Sequence, residues 1–553
     1  MQRIAHGSNS IQLDEAPLLA VEEGNNNPAL AIHTAAVATA VASTAVAPAA
    51  SAVPHFTYLF EDLVEKPDKL LPDMAEAPSI LEDLKELGMS MRDVEQKADG
   101  NSNIPSAYTY FGQFVDHDIT FTDVKKPEGF TDAKVLGTDT QLSPLSLDEI
   151  HKIKNKRASI LELDCVYGII PSEKEEERKP PPRKTLPDNP AMMALGLVSE
   201  SGDRPPGKTR DDYDLCRNKK SASDNGKFDR AAFIPDPRND SNLIVSQLHV
   251  AFLRAHNELV RRGNSFDQAR LILRDCYHRI IIQDFLIRIA DPDVVRQVLS
   301  SSKPLYNPPK EGAFSLPLEF TVAAYRFGHS MIRKRYYVND SARSLSLGKL
   351  FMLIVLGQGF EPKPGKGADT LPENMIVQWE AFLTGGQNMA RQLNTRMVEP
   401  LFNLLDELDR PVDGEKSLAV QDLKRGYMLR IPTGQAIAER LEIANPLTTA
   451  QIEDLARKVS DAQYTALTKK ETKLSSRTPL WFYILAEAKI LGKEDRLGPV
   501  GSRLVAEVFI GLICRIPDSY LNVGWQHGEL GSKKGEFNLT DLLRLANVLP
   551  KNN

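Results

Sequence analysis

Apolar side chains recur at spacings of three and four residues along most of the chain. This spacing places them on one face of a helix, whereas the two-residue alternation of strands is scarce. The pattern predicts long helices at 240–263 and 266–289. Further helices are predicted at 81–96, 293–300, 320–334, 378–394, 397–408, 435–441, 449–465, 480–491 and 500–513. We therefore expect a mainly α fold with few short strands.

Two segments depart from this helical pattern. Residues 1–55 contain an Ala-rich stretch interrupted by His, Thr, Ser and Pro, which predicts a flexible N-terminal arm. Residues 171–207 are rich in Pro and charge and predict an exposed excursion. We expect residues 56–553 to form a single large domain in which the C-terminal helices close the same core.

Composition excludes several classes of protein. Of 553 residues, 42% are hydrophobic and 26% charged, as in ordinary soluble globular proteins. The formal net charge of −6 gives no basic excess, so nucleic acid is not an expected partner. Four cysteines lie far apart and form no CxxC pair, which argues against a zinc ribbon or a disulfide framework.

The N-terminal residues lack the basic region and apolar core of a cleavable secretory signal. This predicts cytoplasmic residence or an unconventional export route, and the sequence does not decide between them. The Ala-rich arm is poor in Leu, Ile and Phe, so no membrane span, and at most a weak membrane contact, is expected there. The oligomeric state is left open.

Residues 111–123 read FGQFVDHDITFTD and concentrate polar side chains in an apolar setting. In a helix, Gln113, Asp116 and His117 share one face, and Asp118 points about a quarter turn away. The flanking Phe, Val and Ile residues indicate burial. Buried carboxylates must be paired, hydrogen-bonded or bound to a metal.

Two further segments carry an isolated cation or imidazole. Arg238 lies at a predicted helix entry, where Asp236, Asn239 and Asp240 are candidate caps. His329 lies in an apolar segment after Gly328, which allows a bulky group to approach closely. Arg326 is three residues earlier, on roughly the same face.

Glu162 and Asp164 alternate in a loop-like segment and are candidate oxygen ligands of a hard cation such as Ca²⁺. The other candidates together are typical of a haem site. A haem iron is commonly held by one His on its proximal side. Cleavage of a peroxide O–O bond on the distal side needs a base and a cation, which a His and an Arg supply.

Several spaced motifs resemble those of the animal-type haem peroxidases, within the peroxidase–cyclooxygenase superfamily. GQFVDHD is similar to the family's GQ-x-x-DHD, and YRFGH to its R-[FY]-GH. PRND followed by LRAHN, LELDCVYG, PLWFYILAEA and LGPVGSRLVAEVFIGLI resemble further family segments in the same order. The resemblance covers roughly residues 56–525 and is nearest to bacterial and peroxinectin-like members.

The resemblance implies a role for each candidate residue. His117 would be the distal acid–base, Arg238 the distal cation, and Gln113 a hydrogen-bonding group of the distal pocket. His329 would be the proximal iron ligand. The resemblance further implies that Arg326 pairs with a haem propionate and that Asp116 is the acid that can form one ester link with haem b. It also implies that Asp118, Glu162 and Asp164 are ligands of a Ca²⁺ ion.

Departures from the family pattern change the expectation. The second ester-forming Glu falls at Ser241 and is followed by Asn242, so that ester and a sulfonium link are not expected. A Thr ligand of the calcium loop falls at Ala158, which weakens the case for calcium. The proximal Asn falls at Asp422, whose carboxylate would push the His329 imidazole toward imidazolate.

The resemblance implies a peroxidase that reduces hydrogen peroxide and oxidises phenolic or other organic donors, or halides, through a ferryl intermediate. One alternative is a haem fatty-acid dioxygenase of the same superfamily. It would need a Tyr three residues before the proximal His, where this chain has Arg326, with Tyr325 one position off. A second alternative is a haem-binding adhesion or sensor protein with vestigial activity.

Overall fold

The computed structural model describes residues 54–93, 100–123, 143–155, 157–168, 185–200, 205, 208, 212–217, 232–308, 314–350, 370–404 and 416–549. The predicted arm lies outside these residues except for its last two positions. Most of the predicted excursion at 171–207 also lies outside them. The division into an arm and one domain therefore stays a prediction. No helix within the described ranges is long and apolar enough to cross a membrane.

The fold is built mainly from α-helices, as the spacing of apolar residues predicts. Eight helices of the described ranges have eleven or more residues: α1 (Ile80–Ser90), α2 (Ala107–Ile119), α3 (Leu243–Arg261), α4 (Phe266–Ile280), α5 (Leu418–Met428), α6 (Thr449–Val459), α7 (Leu480–Ile490) and α8 (Pro499–Arg515). Shorter α-helices span Glu61–Val64, Leu147–Ile150, Asp164–Tyr167, Leu286–Ile289, Pro292–Leu299, Leu318–Val322, Gly434–Arg440, Asp461–Leu467, Tyr520–Val523 and Leu539–Leu545.

Tighter and wider helical turns connect these elements. Turns of 3₁₀ helix span Pro67–Lys69, Pro237–Asp240, Ala324–Met331, Glu373–Met375, Trp379–Phe382 and Glu399–Phe402. A π-helical turn, Ile281–Phe285, follows α4 directly. The predicted helix 266–289 is therefore one continuous rod that changes its hydrogen-bond pattern near its end.

The strands of the described ranges are short and pair only in twos. The parallel pair is Phe56–Thr57 with Leu316–Pro317. The antiparallel pairs are Asn101–Pro105 with Met389–Arg391, Thr122–Asp123 with Lys154–Asn155, Thr185–Leu186 with Asn189–Met193, and Arg335–Tyr336 with Leu345–Ser346. These ribbons tie loops to the helical body and build no sheet core, which confirms the predicted mainly α class.

Several predicted helices are wrong in extent. Among them, 449–465 is divided into α6 and the short helix Asp461–Leu467, and 81–96 ends at Ser90. The segment 378–394 forms only the 3₁₀ turn Trp379–Phe382 and a short strand. Its chain reverses at Gly385, where φ is +76°, and at Gly386, where a Cβ atom would lie 2.5 Å from the Ala381 carbonyl oxygen. Within residues 397–404, the described part of the predicted helix 397–408, the chain forms only the turn Glu399–Phe402. The predicted helix 320–334 is divided at Ala323, where φ is −131°.

The core is densest around α2, all thirteen residues of which are buried. Its aromatic side chains pack against α3, α4 and the π turn, and the rings of Phe114 and Phe252 stack at 4.3 Å between centroids. Burial of a large apolar side chain contributes about 1.5–3 kcal/mol. This packing holds α2 in place, and with it the polar side chains of Gln113, Asp116, His117 and Asp118.

Candidate functional site

α2 presents His117 to the interior through a hydrogen bond with a neighbouring turn. The Nδ1 atom of His117 lies 2.7 Å from Oδ1 of Asn239, in the 3₁₀ turn Pro237–Asp240. Burial, with a smaller contribution from the Arg238 guanidinium, lowers the pKa of His117 to about 4. The imidazole is therefore neutral near pH 7. In the tautomer that donates from Nδ1 to the amide oxygen, Nε2 carries the lone pair and can act as a base.

The same turn holds Arg238 beside His117. Its Nε and Nη2 atoms donate to the buried Asp236 carboxylate, at 3.1 and 2.7 Å, and Nη2 also donates to the His117 carbonyl oxygen at 3.0 Å. The guanidinium lies 4.5 Å from the centroid of the Phe121 ring. Its Nη1 atom is buried and has no hydrogen-bond partner among the described residues.

The Asp236 carboxylate holds Arg238 in place and also binds a second cation. Arg157 also donates to Oδ2 of this carboxylate, and its side chain is almost fully buried. Although burial alone raises the pKa of Asp236, the charges of Arg157 and Arg238 outweigh it and hold this pKa well below its usual range. Asp236 also caps the turn by accepting from the Arg238 backbone N–H at 2.9 Å.

The two remaining polar groups on this face of α2 differ in their partners. Gln113 accepts through Oε1 from Nδ2 of Asn242 at 3.0 Å. Asn242 also caps α3, since its Oδ1 accepts from the N–H groups of Ile244 and Val245. Asp116, in contrast, is fully buried, and neither of its carboxylate oxygens has a partner among the described residues.

His329 lies in the 3₁₀ segment Ala324–Met331 and is paired with a carboxylate on α5. Its Nδ1 atom is 2.5 Å from Oδ2 of Asp422, and both side chains are fully buried. Its Nε2 atom is buried and has no partner within the described residues. The Asp422 carboxylate orients the ring and leaves Nε2 as the free donor atom for a metal.

Two buried guanidinium groups accompany this pair. Arg425 is 3.4 Å from Oδ1 of Asp422. Burial lowers its pKa to about 10 against the Asp422 charge, and Arg326 lowers it further. Arg326 donates through Nε to the Thr321 carbonyl oxygen at 2.8 Å, while its Nη1 atom is buried without a partner in the described ranges. Neighbouring cations of this kind favour binding of an anion such as a propionate.

The donor set fits a haem. A buried polar atom without a hydrogen-bond partner destabilises a protein. Four side chains here have such atoms, and the family resemblance assigns them to the two sides of one haem. The atoms are Nε2 of His329, Nη1 of Arg326, Nη1 of Arg238 and the oxygens of Asp116. Tyr325 joins the two sides, since its hydroxyl donates to the Gly112 carbonyl oxygen of α2 at 3.0 Å.

The predicted calcium ligands do not complete a cation site. Asp118 accepts from the backbone N–H groups of Leu163 and Cys165 at 3.1 and 3.0 Å. Glu162 pairs with Arg270 and Arg274, each at 3.1 Å. Among the described residues, no group of three or more His, Cys, Asp or Glu side chains is arranged to hold a metal ion. Calcium binding through these residues stays a prediction.

Asp118 and Asp164 are nevertheless an unusual buried pair. Burial raises the pKa of Asp118 to about 6, although its two backbone donors and Arg157 act in the opposite direction. Burial and the neighbouring Asp118 raise the pKa of Asp164 well above its usual range. Both carboxylate oxygens of Asp164 are buried and have no hydrogen-bond partner among the described residues.

The sequence predicts the candidate reactive side chains and, through the family resemblance, places Asp422 near His329. It predicts Asn239 and Asp236 only as candidate caps, and Arg425 is not among the predicted residues. Spacing gives no indication of the Asn239 contact, since it joins residues 122 positions apart. Arg425 was accessible to sequence reasoning, since it lies three residues after Asp422 on the same helical face.

Comparison with known proteins assigns the chain to a family. The animal haem peroxidase family model matches residues 151–509, more than half of the chain. The matched region contains Arg238, His329 and Asp422, whereas α2 precedes it. Fold and match together define a mainly α domain of the animal haem peroxidase class. The chain belongs to the animal haem peroxidase family, whose members generally bind haem.

Individual relatives are distant. A peroxidase-like protein of Margaritifera margaritifera is 25% identical over 265 residues, which are 41% of this chain and 31% of that protein. The structure is similar to peroxidase A of Dictyostelium discoideum, with a TM-score of 0.50 and 16% identity over 85% of this chain and 90% of that one.

The fold is also similar to that of fatty acid alpha-dioxygenases. The Oryza sativa enzyme gives a TM-score of 0.54 and 14% identity over 87% of this chain and 81% of that one. The Arabidopsis thaliana enzyme gives 0.50 and 13% over 84% and 75%. At these identities the likeness shows the fold alone, and it does not distinguish a peroxidase from a dioxygenase.

Proposed function

We propose that the protein is a haem-dependent peroxidase that reduces hydrogen peroxide and oxidises a small organic or halide donor. One observation carries this proposal: a neutral His117 and a buried Arg238 with a free Nη1 atom lie side by side. A base next to a fixed cation is the arrangement that heterolysis of a peroxide requires.

His329 would bind the haem iron through Nε2, and Arg326, with Arg425 nearby, would pair with the propionates. Asp116 is the group that would form the one ester link to haem b, and its free oxygens are consistent with this. Once bound, the haem would supply the electrons that break the O–O bond and recover them from the donor.

The side chains then have defined tasks. Nε2 of His117 accepts the proton of the inner peroxide oxygen and returns it to the outer oxygen, which leaves as water. Nη1 of Arg238 donates to the outer oxygen as negative charge develops there. Gln113, held by Asn242, positions the peroxide or water in the pocket.

Optical titration tests this proposal. Purified protein is titrated with haem, and the loaded protein is then mixed rapidly with hydrogen peroxide. We expect a Soret band on haem addition and a peroxide-driven spectral change that is slowed by about 10²-fold or more in Arg238→Ala, the usual effect of removing such a donor. Arg343→Ala removes an exposed Arg and serves as the control. Failure to bind haem, or equal rates in all three proteins, would refute the proposal.

The second candidate function is that of a fatty-acid dioxygenase, which the likeness to the plant alpha-dioxygenase structures supports at the level of the fold. The two candidate functions are distinguished by the substrate that the protein oxidises. Turnover of guaiacol without oxygen uptake in the presence of linoleate supports the peroxidase. Oxygen uptake without guaiacol turnover supports the dioxygenase. A His117→Ala protein that keeps its full biological role would instead indicate a haem-binding adhesion or sensor protein.

A further inference from the structure

A chain of two hydrogen bonds extends behind His117, away from the atom that would act as base. Nδ1 of His117 is 2.7 Å from Oδ1 of Asn239. At the other end of the same amide, Nδ2 is 3.0 Å from Nδ1 of His249, on α3. None of the three side chains is more than 1% exposed, so water does not compete for these contacts.

The two ends of the amide are not equivalent, and this sets the direction of the chain. A carboxamide accepts only through oxygen and donates only through nitrogen. Burial lowers the pKa of His249 to about 3, so its ring is neutral and its Nδ1 can accept from Nδ2 of Asn239. The oxygen of Asn239 then faces His117 and can only accept. The His117 proton therefore lies on Nδ1, and Nε2 is left with its lone pair.

The backbone and the neighbouring rings hold this arrangement in place. The Asn239 N–H donates to the Asp236 carbonyl oxygen at 3.0 Å, so the side chain starts from the same tight turn that carries Arg238. The His249 ring packs edge-on against Phe114 of α2, at 6.1 Å between centroids. Rotation of the amide would place Nδ2 against Nδ1 of His117 and Oδ1 against Nδ1 of His249, and both hydrogen bonds would then require the opposite tautomer of each ring.

We propose that Asn239, locked by His249, is a positioning residue that fixes the tautomer and orientation of His117. This inference rests on the proposed function, in which His117 is the base. The alternative tautomer would place a proton on Nε2 and prevent it from accepting one. The charged groups around His117 are Arg238, Asp236 and Asp116. None of them accepts from its Nδ1 atom.

The test reads the tautomer directly. The full chain is labelled with ¹⁵N-histidine and loaded with zinc protoporphyrin, which is diamagnetic and does not react with peroxide. Ten histidines give a limited set of ring signals, and His117→Gln identifies the pair that belongs to His117. At pH 7 we expect a protonated Nδ1 and an unprotonated Nε2.

Two substitutions at Asn239 separate positioning from packing. Asn239→Leu has a similar volume but no acceptor, and loss of one hydrogen bond should shift the tautomer ratio toward Nε2–H by roughly tenfold. Asn239→Asp keeps an acceptor oxygen and should restore a protonated Nδ1. Asn257→Asp, at a buried Asn of α3 whose side chain hydrogen-bonds to the Met193 backbone, is the matched control and should leave the His117 signals unchanged.

His249→Leu is an independent variant in case Asn239→Leu does not fold. Without the His249 acceptor the amide can turn, so the single His117 signal pair should split or move. A wild-type protein with the proton on Nε2 would overturn the inference. So would an unchanged His117 in both Asn239→Leu and His249→Leu.

Failure of the inference and failure of the proposed function are distinguishable. Porphyrin uptake is read from the Soret band, independently of the ¹⁵N signals. Uptake with the wrong tautomer overturns the inference alone. No uptake overturns the proposed function, whereas a protonated Nδ1 in the unloaded chain would still support the positioning by Asn239.

Discussion

The substitution Asp422→Asn probes the pair beneath the proposed haem, because it removes a negative charge and changes the shape of the side chain very little. Oδ2 of Asp422 lies 2.5 Å from Nδ1 of His329, and both groups are fully buried. Asparagine retains an oxygen that can accept from the same N–H. The difference between the two proteins is therefore the charge on the acceptor, with the geometry held nearly constant.

The magnitude follows from the strength of the two hydrogen bonds. A hydrogen bond to a charged group contributes about 1.5–3 kcal/mol, and one between neutral groups about 0.5–1.5 kcal/mol. The difference is about 1.4 kcal/mol, which corresponds to about 59 mV for a one-electron couple. A carboxylate makes the imidazole a stronger donor and favours the oxidised metal. Asp422→Asn should therefore raise the ferric/ferrous midpoint potential of the haem-loaded protein by about 60 mV.

Spectroelectrochemical titration of the loaded protein measures this midpoint. Asp454→Asn removes a carboxylate of the same charge from an exposed helix surface and is the control. It should leave the potential unchanged, because solvent screens a surface charge. A midpoint that stays constant or falls in Asp422→Asn would refute the claim that Asp422 adds negative charge to the proximal imidazole.

Three further substitutions test the stability of the buried core. Phe114→Ala removes the ring stacked in the core and should lower the free energy of unfolding by about 3–5 kcal/mol, measured by urea denaturation. Gly434→Ala should reduce the yield of folded protein, because its Cβ would lie 2.1 Å from Cγ of Tyr483; Gly426→Ala, with nothing within 4 Å, is the control. Burial raises the pKa of Glu319 to about 7, so its contribution to stability is present below its unfolded pKa and is lost as the pH rises through 7. Relative to Glu319→Gln, the wild type should therefore lose stability between pH 5 and pH 8, whereas a constant difference would contradict the assignment.

The helices were predictable where a single amphipathic period runs without interruption. α3 and α4 have this pattern, and Ser265 adds a capping box at the start of α4. Prediction failed where tertiary contacts override the local pattern. The Gly385–Gly386 pair turns the chain within a predicted helix, since only Gly tolerates the approach of the Ala381 carbonyl. α5, which contains VQDLKRG, was not predicted as a helix, although Ser417 caps it.

The candidate reactive residues were easier to predict from the sequence than the residues that orient them. His117, Arg238 and His329 stand in short local motifs, and it is the combination of these motifs that predicts a haem site. Their orienting partners come from elsewhere in the chain: Asn239 meets His117 across 122 positions, and Asp422 meets His329 across 93. Such pairs depend on how the helices pack, which hydrophobic periodicity does not specify. Only a resemblance to a family placed Asp422 near His329, and nothing placed Asn239.

The position of Tyr325 argues against tyrosyl chemistry at this site. Oxidation of a tyrosine to a neutral radical requires an acceptor for its proton, but the Tyr325 hydroxyl donates to the Gly112 carbonyl, a very weak base. Burial raises its pKa well above the usual range, which further disfavours loss of the proton. The ring packs among Phe320, Phe285 and Phe509, as a structural side chain does. Tyr325→Phe should therefore leave peroxide-dependent guaiacol turnover unchanged and lower the free energy of unfolding by about 1 kcal/mol through the lost hydrogen bond. Loss of linoleate-dependent oxygen uptake in Tyr325→Phe, with a folded and haem-loaded protein, would reverse this reasoning and assign the radical to Tyr325.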